Sequence, residues 1–337
     1  MRRTRLGRRL ARAAFYAATA AIVAWAAFVV PLPVVEYVPG NPTSIPPLIE
    51  LDGIETFELD GDVKLLTVLL RQQPTMPALG AVLSRDRSLV RYDEVYPPGT
   101  DRSEVLRLER ERFARQFDIA VAVGAAAAGV ETELVTEVVV VQVLPGSPAS
   151  GNLAPGDVVL AVDGEPLASA EQLQAISRTG QEGDELTLTV RHAGEQREVT
   201  LSLSTFGGVT EPRLGVAIQT AVEEARLPFE VSLREGTRIG GPSAGLMTAV
   251  TVFDLLTADD LLRGRQIAGT GSLDADGRVG PVGGIPAKLR AAAAEGAELV
   301  LVPAIQLDVA LESVPDGLIV VGVDHLDDAL ELLASES

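Results

Sequence analysis

Gly240-Gly241-Pro242-Ser243-Ala244-Gly245 is a small, glycine-rich stretch that opens a long apolar run. The apolar residues after it recur at helical spacing, which predicts that Ser243 lies near a helix N-terminus. Free N–H groups at a helix start favour negative charge and can hold the oxyanion formed when a serine attacks a carbonyl. Ser243 is therefore a candidate nucleophile. The alternative is that Ser243 only caps the helix, because Gly-x-Ser-x-Gly alone is a weak signal.

A serine nucleophile needs a neighbouring base, and the residue counts limit the choice. The chain has no cysteine and two histidines, His192 in a polar turn and His325 between a strand pattern and a short helix. Of its 28 lysine and arginine residues, only Lys64 and Lys288 are lysine. Arginine stays protonated in proteins, whereas burial lowers the pKa of a lysine. Lys288, early in a helix that starts near Pro286, is the predicted base, and we expect Lys64 to be an exposed strand residue.

Three motifs follow one another in the C-terminal part of the chain. They are Gly241-Pro242-Ser243-Ala244-Gly245, Gly269-Thr270-Gly271, and Gly280-Pro281-Val282-Gly283-Gly284 followed by Lys288. Together they resemble the proteolytic domain of Lon-type peptidases, over about residues 229–333. The resemblance implies a Ser243–Lys288 dyad with Thr270 supporting the lysine, and Gly241, Pro242 and Ala244 around the serine. ATP-dependent Lon enzymes often carry an acidic residue just before Gly-Pro-Ser, and here that position is Gly240.

Residues 137–204 have the pattern of a separate, β-rich unit. Gly146-Ser147-Pro148-Ala149, Leu153-Ala154-Pro155-Gly156-Asp157 and Val162-Asp163-Gly164 occur in this order. The set resembles a PDZ domain of the bacterial protease type. The resemblance implies binding of an extended peptide as an added strand, often by its C-terminus, with the terminal-carboxylate loop expected near 124–129. The alternative is a β-rich spacer without a ligand.

The first 30 residues have the pattern of a membrane anchor. Residues 1–12 carry six arginines and no acidic residue, and Ala13–Val30 is a run of 18 residues without a charge. At 1.5 Å per residue a helix of this length spans ~27 Å, close to the hydrocarbon thickness of a bilayer. The arginines should stay in the cytoplasm, which places the rest of the chain outside. The alternative is a cleaved signal peptide, with Ala24-Trp25-Ala26 as the cleavage site.

Charge and motif content exclude two classes of function. The formal net charge is −19, and it is more negative still without the six N-terminal arginines. Such a surface repels nucleic acid, so we expect no nucleic-acid partner. The sequence has no Gly-x-x-x-x-Gly-Lys-[Ser/Thr], and therefore no P-loop ATPase motif. The residues indicate neither a cofactor nor a metal site.

We predict an α+β chain in which the PDZ unit is inserted into the protease domain. Residues 48–125 contain two strand patterns and a helix, which alone would have too little core to stand as a domain. The predicted divisions are a basic tail (1–12), a transmembrane helix (13–30), a linker (31–47), strands and a helix of the protease domain (48–125), a PDZ domain (126–206) and a Lon-type proteolytic domain (207–337).

As a whole, the chain resembles the membrane-anchored PDZ–Lon proteins of bacteria. The resemblance implies an ATP-independent serine endopeptidase that cleaves extracytoplasmic proteins captured by its PDZ domain. Lon-like domains often form rings, so a homo-oligomer is also implied. One alternative is a Ser–His hydrolase that uses Ser243 and His325 with Asp324 or Asp327. The other is a PDZ adaptor at the membrane surface whose protease-like domain is inert.

Overall fold

The computed structural model describes residues 2–84, 87–96, 101–192, 194–206, 211–234 and 240–335, with the backbone alone for 2–13 and 102. The helices are α1 Arg2–Val29, α2 Thr75–Val82, α3 Tyr92–Val95, α4 Arg102–Ala127, α5 Ala170–Thr179, α6 Gly245–Leu256, α7 Ile285–Ala294, α8 Leu307–Leu311 and α9 Leu326–Ser335. Short 3-10 turns lie at Pro46–Leu48, Pro242–Ala244 and Ala304–Gln306.

The strands fall into several sheets. They are β1 Pro31–Pro39, β2 Thr43–Ser44, β3 Ile49–Asp52, β4 Asp62–Leu65, β5 Val68–Pro74, β6 Ser88–Arg91, β7 Glu133–Val143, β8 Val158–Val162, β9 Glu165–Pro166, β10 Glu185–His192, β11 Glu195–Ser202, β12 Val216–Arg226, β13 Glu230–Leu233, β14 Gln266–Gly269, β15 Ser272–Leu273, β16 Val279–Gly280, β17 Leu299–Pro303 and β18 Ile319–Val323.

A five-stranded sheet in the order β18-β17-β14-β4-β2 carries the C-terminal motifs. β14 pairs in parallel with both β17 and β4, and β2 adds an antiparallel edge. All five residues of β17 are buried, as expected for a parallel strand that is covered on both faces. β4 and β2 come from the chain before the β-rich unit, so the sheet is assembled from both sides of that unit.

The largest apolar core also joins the two parts of the chain. Phe113 and Phe117 of α4 belong to the same buried cluster as Leu246 and other residues of α6. A Cβ atom on Gly124 would stand 2.5 Å from the Ala249 carbonyl oxygen, so only glycine permits this approach of the two helices. β13 pairs with β3, which ties the chain just before the Ser243 motif to the N-terminal part.

The β-rich unit is a sheet in the order β11-β10-β8-β7-β12, with β9 paired to β8. Its own core contains Val138, Leu173 and Leu188, and Ile218 of β12 packs against it. β12 lies beyond residue 206, where we predicted this unit to end. The strand belongs to this sheet because it pairs along most of its length with β7.

The prolines of 31–47 do not form the predicted linker. β1 is the central strand of a three-stranded sheet in the order β5-β1-β6. The register shifts between Pro31 and Val35, and such an irregularity is where a strand tolerates proline. The buried Glu36 accepts hydrogen bonds from Arg87 at 2.5 and 2.6 Å and from Gln73. A proline-restricted, extended backbone therefore serves as a strand once partner strands are available.

The N-terminal segment is helical over Arg2–Val29. In the part of the chain that the structure describes, no helix is both long and apolar enough to cross a membrane. The predicted transmembrane helix at 13–30 is therefore not supported.

Candidate active site

Ser243 lies in the 3-10 turn Pro242–Ala244, which runs directly into α6. Gly241 has φ +85°, in the region that favours glycine, and Pro242 restricts the first residue of the turn. The Gly241 N–H donates to the Glu109 carbonyl oxygen of α4 at 3.0 Å, so it is already used. The N-cap of α6 is the buried Ala244, and no side chain caps this helix. The alternative in which Ser243 serves only as a helix cap is therefore not what the structure has.

Thr270, fully buried after the end of β14, connects the three motifs. Lys288 Nζ donates to Thr270 Oγ1 at 2.7 Å, and Thr270 Oγ1 donates to the Ser243 carbonyl oxygen at 3.3 Å. The Gly271 N–H donates to the same carbonyl at 3.1 Å. A Cβ atom on Gly269 would stand 2.3 Å from Met247 Sδ, so the glycine lets α6 pack closely on this strand. The structure thus places Ser243, Thr270 and Lys288 in one network.

Lys288 lies in the first turn of α7 and is 2% exposed. Burial disfavours the charged ammonium and lowers the pKa of Lys288 to about 7. At neutral pH a large fraction of this amine is therefore without its extra proton and can accept one. Among the described residues, no hydrogen bond joins Lys288 Nζ directly to Ser243 Oγ; the connection runs through Thr270.

The other lysine and the two histidines lie elsewhere. Lys64 is not the exposed residue we expected: its side chain is 16% exposed and its Nζ lies 3.8 Å from Glu295 Oε2. His192 Nδ1 is 2.5 Å from Asp157 Oδ1 in the β-rich unit. His325 Nε2 is 2.5 Å from the Asp276 carbonyl oxygen.

The alternative Ser–His arrangement is not formed in the described part of the chain, although His325 Nδ1 lies 3.3 Å from Asp327 Oδ2. His325 Nδ1 accepts the Asp327 N–H at 3.2 Å, while the Asp324 N–H donates to Asp328. Among the described hydrogen bonds, none joins either histidine to Ser243. Within the described residues, no group of three or more His, Asp or Glu side chains is arranged to hold a metal ion.

Two residues that the sequence analysis missed border the motif turns. Glu109 Oε2 lies 3.1 Å from where a Cβ atom of Gly241 would stand. The Tyr37 ring packs over the Gly283-Gly284 turn, with its hydroxyl oxygen 2.9 Å from a Cβ built on Gly283. Burial, and then the charges of Glu109 and Glu94, raise the pKa of Tyr37. An acidic residue therefore does lie beside the Gly-Pro-Ser turn, but it comes from α4 and not from position 240.

A groove of about 690 Å³ lies between α5 and the first residues of β12. Leu173, Val216 and Ile218 form apolar walls, and Arg178 and Arg213 line it as well. The terminal-carboxylate loop expected at 124–129 is not in this place, because residues 124–127 are the last turn of α4 and pack on α6. Within this stretch it is Gly124 that serves helix packing, by its close approach to Ala249 of α6.

Two family models match the chain. Residues 230–335 match the Lon protease (S16) C-terminal proteolytic domain, and residues 110–203 match the PDZ domain. The chain carries a PDZ domain and a Lon-type proteolytic domain. The recognition made from the three C-terminal motifs and the β-rich unit is thereby confirmed, and the proteolytic domain is that of a serine protease of the Lon type. The PDZ match begins inside α4, whose buried side chains belong to the core around α6.

The relatives of the Lon-type domain are longer proteins. Lon protease 2 of Herpetosiphon aurantiacus is 30% identical over 151 residues, which cover 43% of this chain and 18% of that protein. Lon protease 2 of Bacillus subtilis is 24% identical over 176 residues, 51% of this chain and 31% of that protein. The chain thus spans less than a third of the length of either curated relative. The PDZ domain of an SdrC-like protein from Listeria innocua is 23% identical with a TM-score of 0.23, covering 24% of this chain and 92% of that one.

Proposed function

We propose that the chain is an ATP-independent serine endopeptidase in which Ser243 is the nucleophile and Lys288 the general base. The observation that carries the proposal is the burial of Lys288. Burial lowers the pKa of the amine to about 7. The amine donates to Thr270 Oγ1, which in turn donates to the Ser243 carbonyl oxygen. A base with a pKa near the working pH is the most effective one. Residues 1–337 contain no Gly-x-x-x-x-Gly-Lys-[Ser/Thr] motif of their own.

The chemistry follows from these groups. The neutral Lys288 Nζ takes the proton of Ser243 Oγ as Oγ attacks the peptide carbonyl carbon. Backbone N–H groups of the Ser243 turn stabilise the oxyanion; the Gly241 N–H is not among them, since Glu109 accepts it. The Lys288 ammonium then gives its proton to the leaving amine, and water releases the acyl group from Ser243 with Lys288 acting as base again.

A serine-directed fluorophosphonate tests the nucleophile. We expect a covalent adduct on Ser243, located by peptide mass spectrometry, and no adduct on the Ser243→Ala chain. The chain should also hydrolyse an unfolded protein without added nucleotide. A chain that forms no adduct and cleaves nothing would instead be the inert PDZ adaptor. Dependence of turnover on His325, measured with His325→Ala, would favour the Ser–His alternative.

Thr270 supplies a prediction about positioning. Thr270→Val keeps the side-chain shape but removes the oxygen that accepts from Lys288 and donates to the Ser243 carbonyl. We expect kcat to fall about 10- to 100-fold with little change in KM, since misplacing a catalytic group costs this much. The midpoint of the pH–rate profile should move to lower pH, because the ammonium loses a hydrogen-bond acceptor.

Thr270→Ser is the matched control, since it keeps the hydroxyl and should restore most of kcat and the original midpoint. If Thr270→Val lowers kcat without moving the midpoint, Thr270 only supports the packing of this region.

We also propose that the PDZ domain captures substrates in the α5–β12 groove. β12 is at the edge of its sheet, so an extended peptide can add to it as a further strand. Leu173, Val216 and Ile218 offer apolar contacts for a side chain, and Arg178 supplies positive charge for a terminal carboxylate. Arg213 also lines the groove but is paired with Glu211 at 2.7 Å. Binding beside the proteolytic domain raises the local concentration of substrate.

Charge reversal in this groove gives a measurable result. Arg178→Glu should weaken binding of a peptide with a free C-terminal carboxylate by about tenfold, because a charge-assisted contact becomes repulsive. Titration calorimetry with the free and the C-terminally amidated peptide measures this. Arg226→Gln, at the other end of β12, is the control and should bind normally. Equal loss for both peptides would show that Arg178 does not contact the carboxylate.

For localisation, we propose that α1 holds the chain at the cell membrane with its bulk outside. Large apolar side chains on α1 are exposed, among them Phe15, Ile22, Trp25 and Phe28. The six preceding arginines favour a cytoplasmic N-terminus. Extracytoplasmic proteins would then be the substrates. The homo-oligomer implied by the family resemblance stays a prediction.

The orientation is tested with a protease added outside intact spheroplasts. We expect it to digest the bulk of the chain and to remove a tag placed after Ser337. A tag that stays protected until the membrane is lysed would reverse the orientation.

A further inference from the structure

A patch of exposed apolar side chains covers α2 and the adjoining end of β5. We call it the 69–83 patch. Its members are the large apolar residues of this segment that face solvent: Leu69, Leu70, Met76, Leu79, Val82 and Leu83. Val82 and Leu83 are 71% and 84% exposed. Single exposed apolar residues are ordinary, but a contiguous group of this size marks a contact surface.

The 69–83 patch is continuous with the apolar surface of α1. α1 contacts both α2 and β5 in the structure. The exposed aromatic residues of α1, including Phe15, Trp25 and Phe28, therefore extend the same apolar region. Two segments that are separate in the chain form one surface.

The charge pattern separates this surface from the rest of the protein. The chain has 47 acidic residues, yet none lies before Glu36 and none lies between Asp62 and Asp86. The exposed Arg71 lies within the second of these acid-free segments. The first acid-free segment contains α1 and the second contains β5 and α2, so the elements that contact each other both lack acidic residues. A strongly acidic protein is repelled by anionic headgroups, but these two segments carry no negative side chain to be repelled.

We propose that the 69–83 patch rests in the headgroup–acyl boundary of the membrane that holds α1. The inference builds on the proposed membrane location and adds a second point of attachment. An apolar element at this boundary sinks roughly 5–10 Å into the lipid, enough to cover side chains such as Val82 and Leu83. β1 of the same small sheet places Tyr37 over the Gly283-Gly284 turn, so a seated patch also fixes the height of the candidate active site above the bilayer.

The chain contains no cysteine, so a single introduced cysteine can be labelled cleanly. Val82→Cys in the full chain, carrying the environment-sensitive fluorophore NBD, is mixed with vesicles of phosphatidylcholine and phosphatidylglycerol. We expect a blue-shifted emission, quenched about twofold by lipids with a nitroxide on the upper acyl chain, since the label should lie within the penetration depth of an interfacial element. Ile319→Cys, 59% exposed on β18, is the matched control and should show neither effect.

The outcomes separate this inference from the proposals on which it builds. Flotation of the chain with vesicles measures attachment, and peptide hydrolysis by the same samples measures the protease. If the chain floats but the label at position 82 is not quenched, the patch does not contact the membrane, while anchoring by α1 still holds. A blue shift that is unaffected by the lipid quencher and increases with protein concentration would mean that the patch binds a second copy of the chain. That result would overturn the inference. If the chain does not float, both attachment by α1 and membrane contact of the 69–83 patch are excluded.

Discussion

Turnover of an unfolded protein by the Lys288→Arg chain is expected to fall by about 10³-fold or more, within the range that general acid–base catalysis contributes. Arginine keeps the positive charge but cannot accept the Ser243 proton. Lys288→Gln should be equally inactive. Turnover of casein or a fluorogenic peptide measures both, and Lys64→Arg is the control, because Lys64 pairs with Glu295 and lies outside the network. A fully active Lys288→Arg chain would exclude the dyad.

The pH dependence follows from the lowered pKa of Lys288. The base works only when deprotonated, so the rate should rise with pH through about 7, where burial places the pKa of this amine. In the unfolded chain the amine has its ordinary pKa of 10.5 and binds more protons than the folded state between pH 7 and 10.5. Lys288 therefore makes the free energy of unfolding rise with pH across this window, and the Lys288→Gln chain should not show this rise. Urea titrations at several pH values, compared with those of the Gln variant, measure the difference.

Removal of residues 1–209, leaving a chain that starts at Thr210, is expected to abolish cooperative folding. The truncation takes away β4, which lies between β14 and β2 in the five-stranded sheet. It also removes Phe113 and Phe117 of α4 from the core around α6. Each large apolar side chain contributes about 1.5–3 kcal/mol on burial, and whole domains are stable by only about 5–15 kcal/mol. Thermal unfolding followed by circular dichroism should show no cooperative transition.

The matched control removes the PDZ sheet and keeps the N-terminal elements. Residues 133–226 are replaced by a short Gly-Ser bridge, which takes out β7 together with β12; removing only 137–204 would leave β12 without most of its partner strand. This chain should unfold cooperatively and hydrolyse a short peptide, while losing selectivity for captured substrates. If the chain from Thr210 instead folds cooperatively with full activity, the N-terminal strands do not belong to the protease.

The sequence was sufficient to recognise the chemical groups of the candidate site. Ser243, Thr270 and Lys288 lie in short motifs in which glycine and proline set the local backbone. Lys288 is one of two lysines, so its place in the third motif was informative. The PDZ pattern was readable for the same reason, since its turns are encoded by neighbouring residues. The matched family models confirm both domains, while the catalytic roles stay predictions.

Only the tertiary structure decided what surrounds these groups. Glu109 and Tyr37 reach the motif turns from α4 and β1, and three of the six prolines of 31–47 lie in strand β1. The groove proposed for peptide binding is lined by β12 and not by residues 124–129. The lowered pKa of Lys288 likewise depends on the burial of its side chain in the folded chain. Turns and helix starts depend on residues a few positions apart, and a sequence shows them directly. The pairing of β4 with β14, and the packing of α4 on α6, depend on which distant surfaces exclude water from each other, and that choice is made only when the whole chain folds.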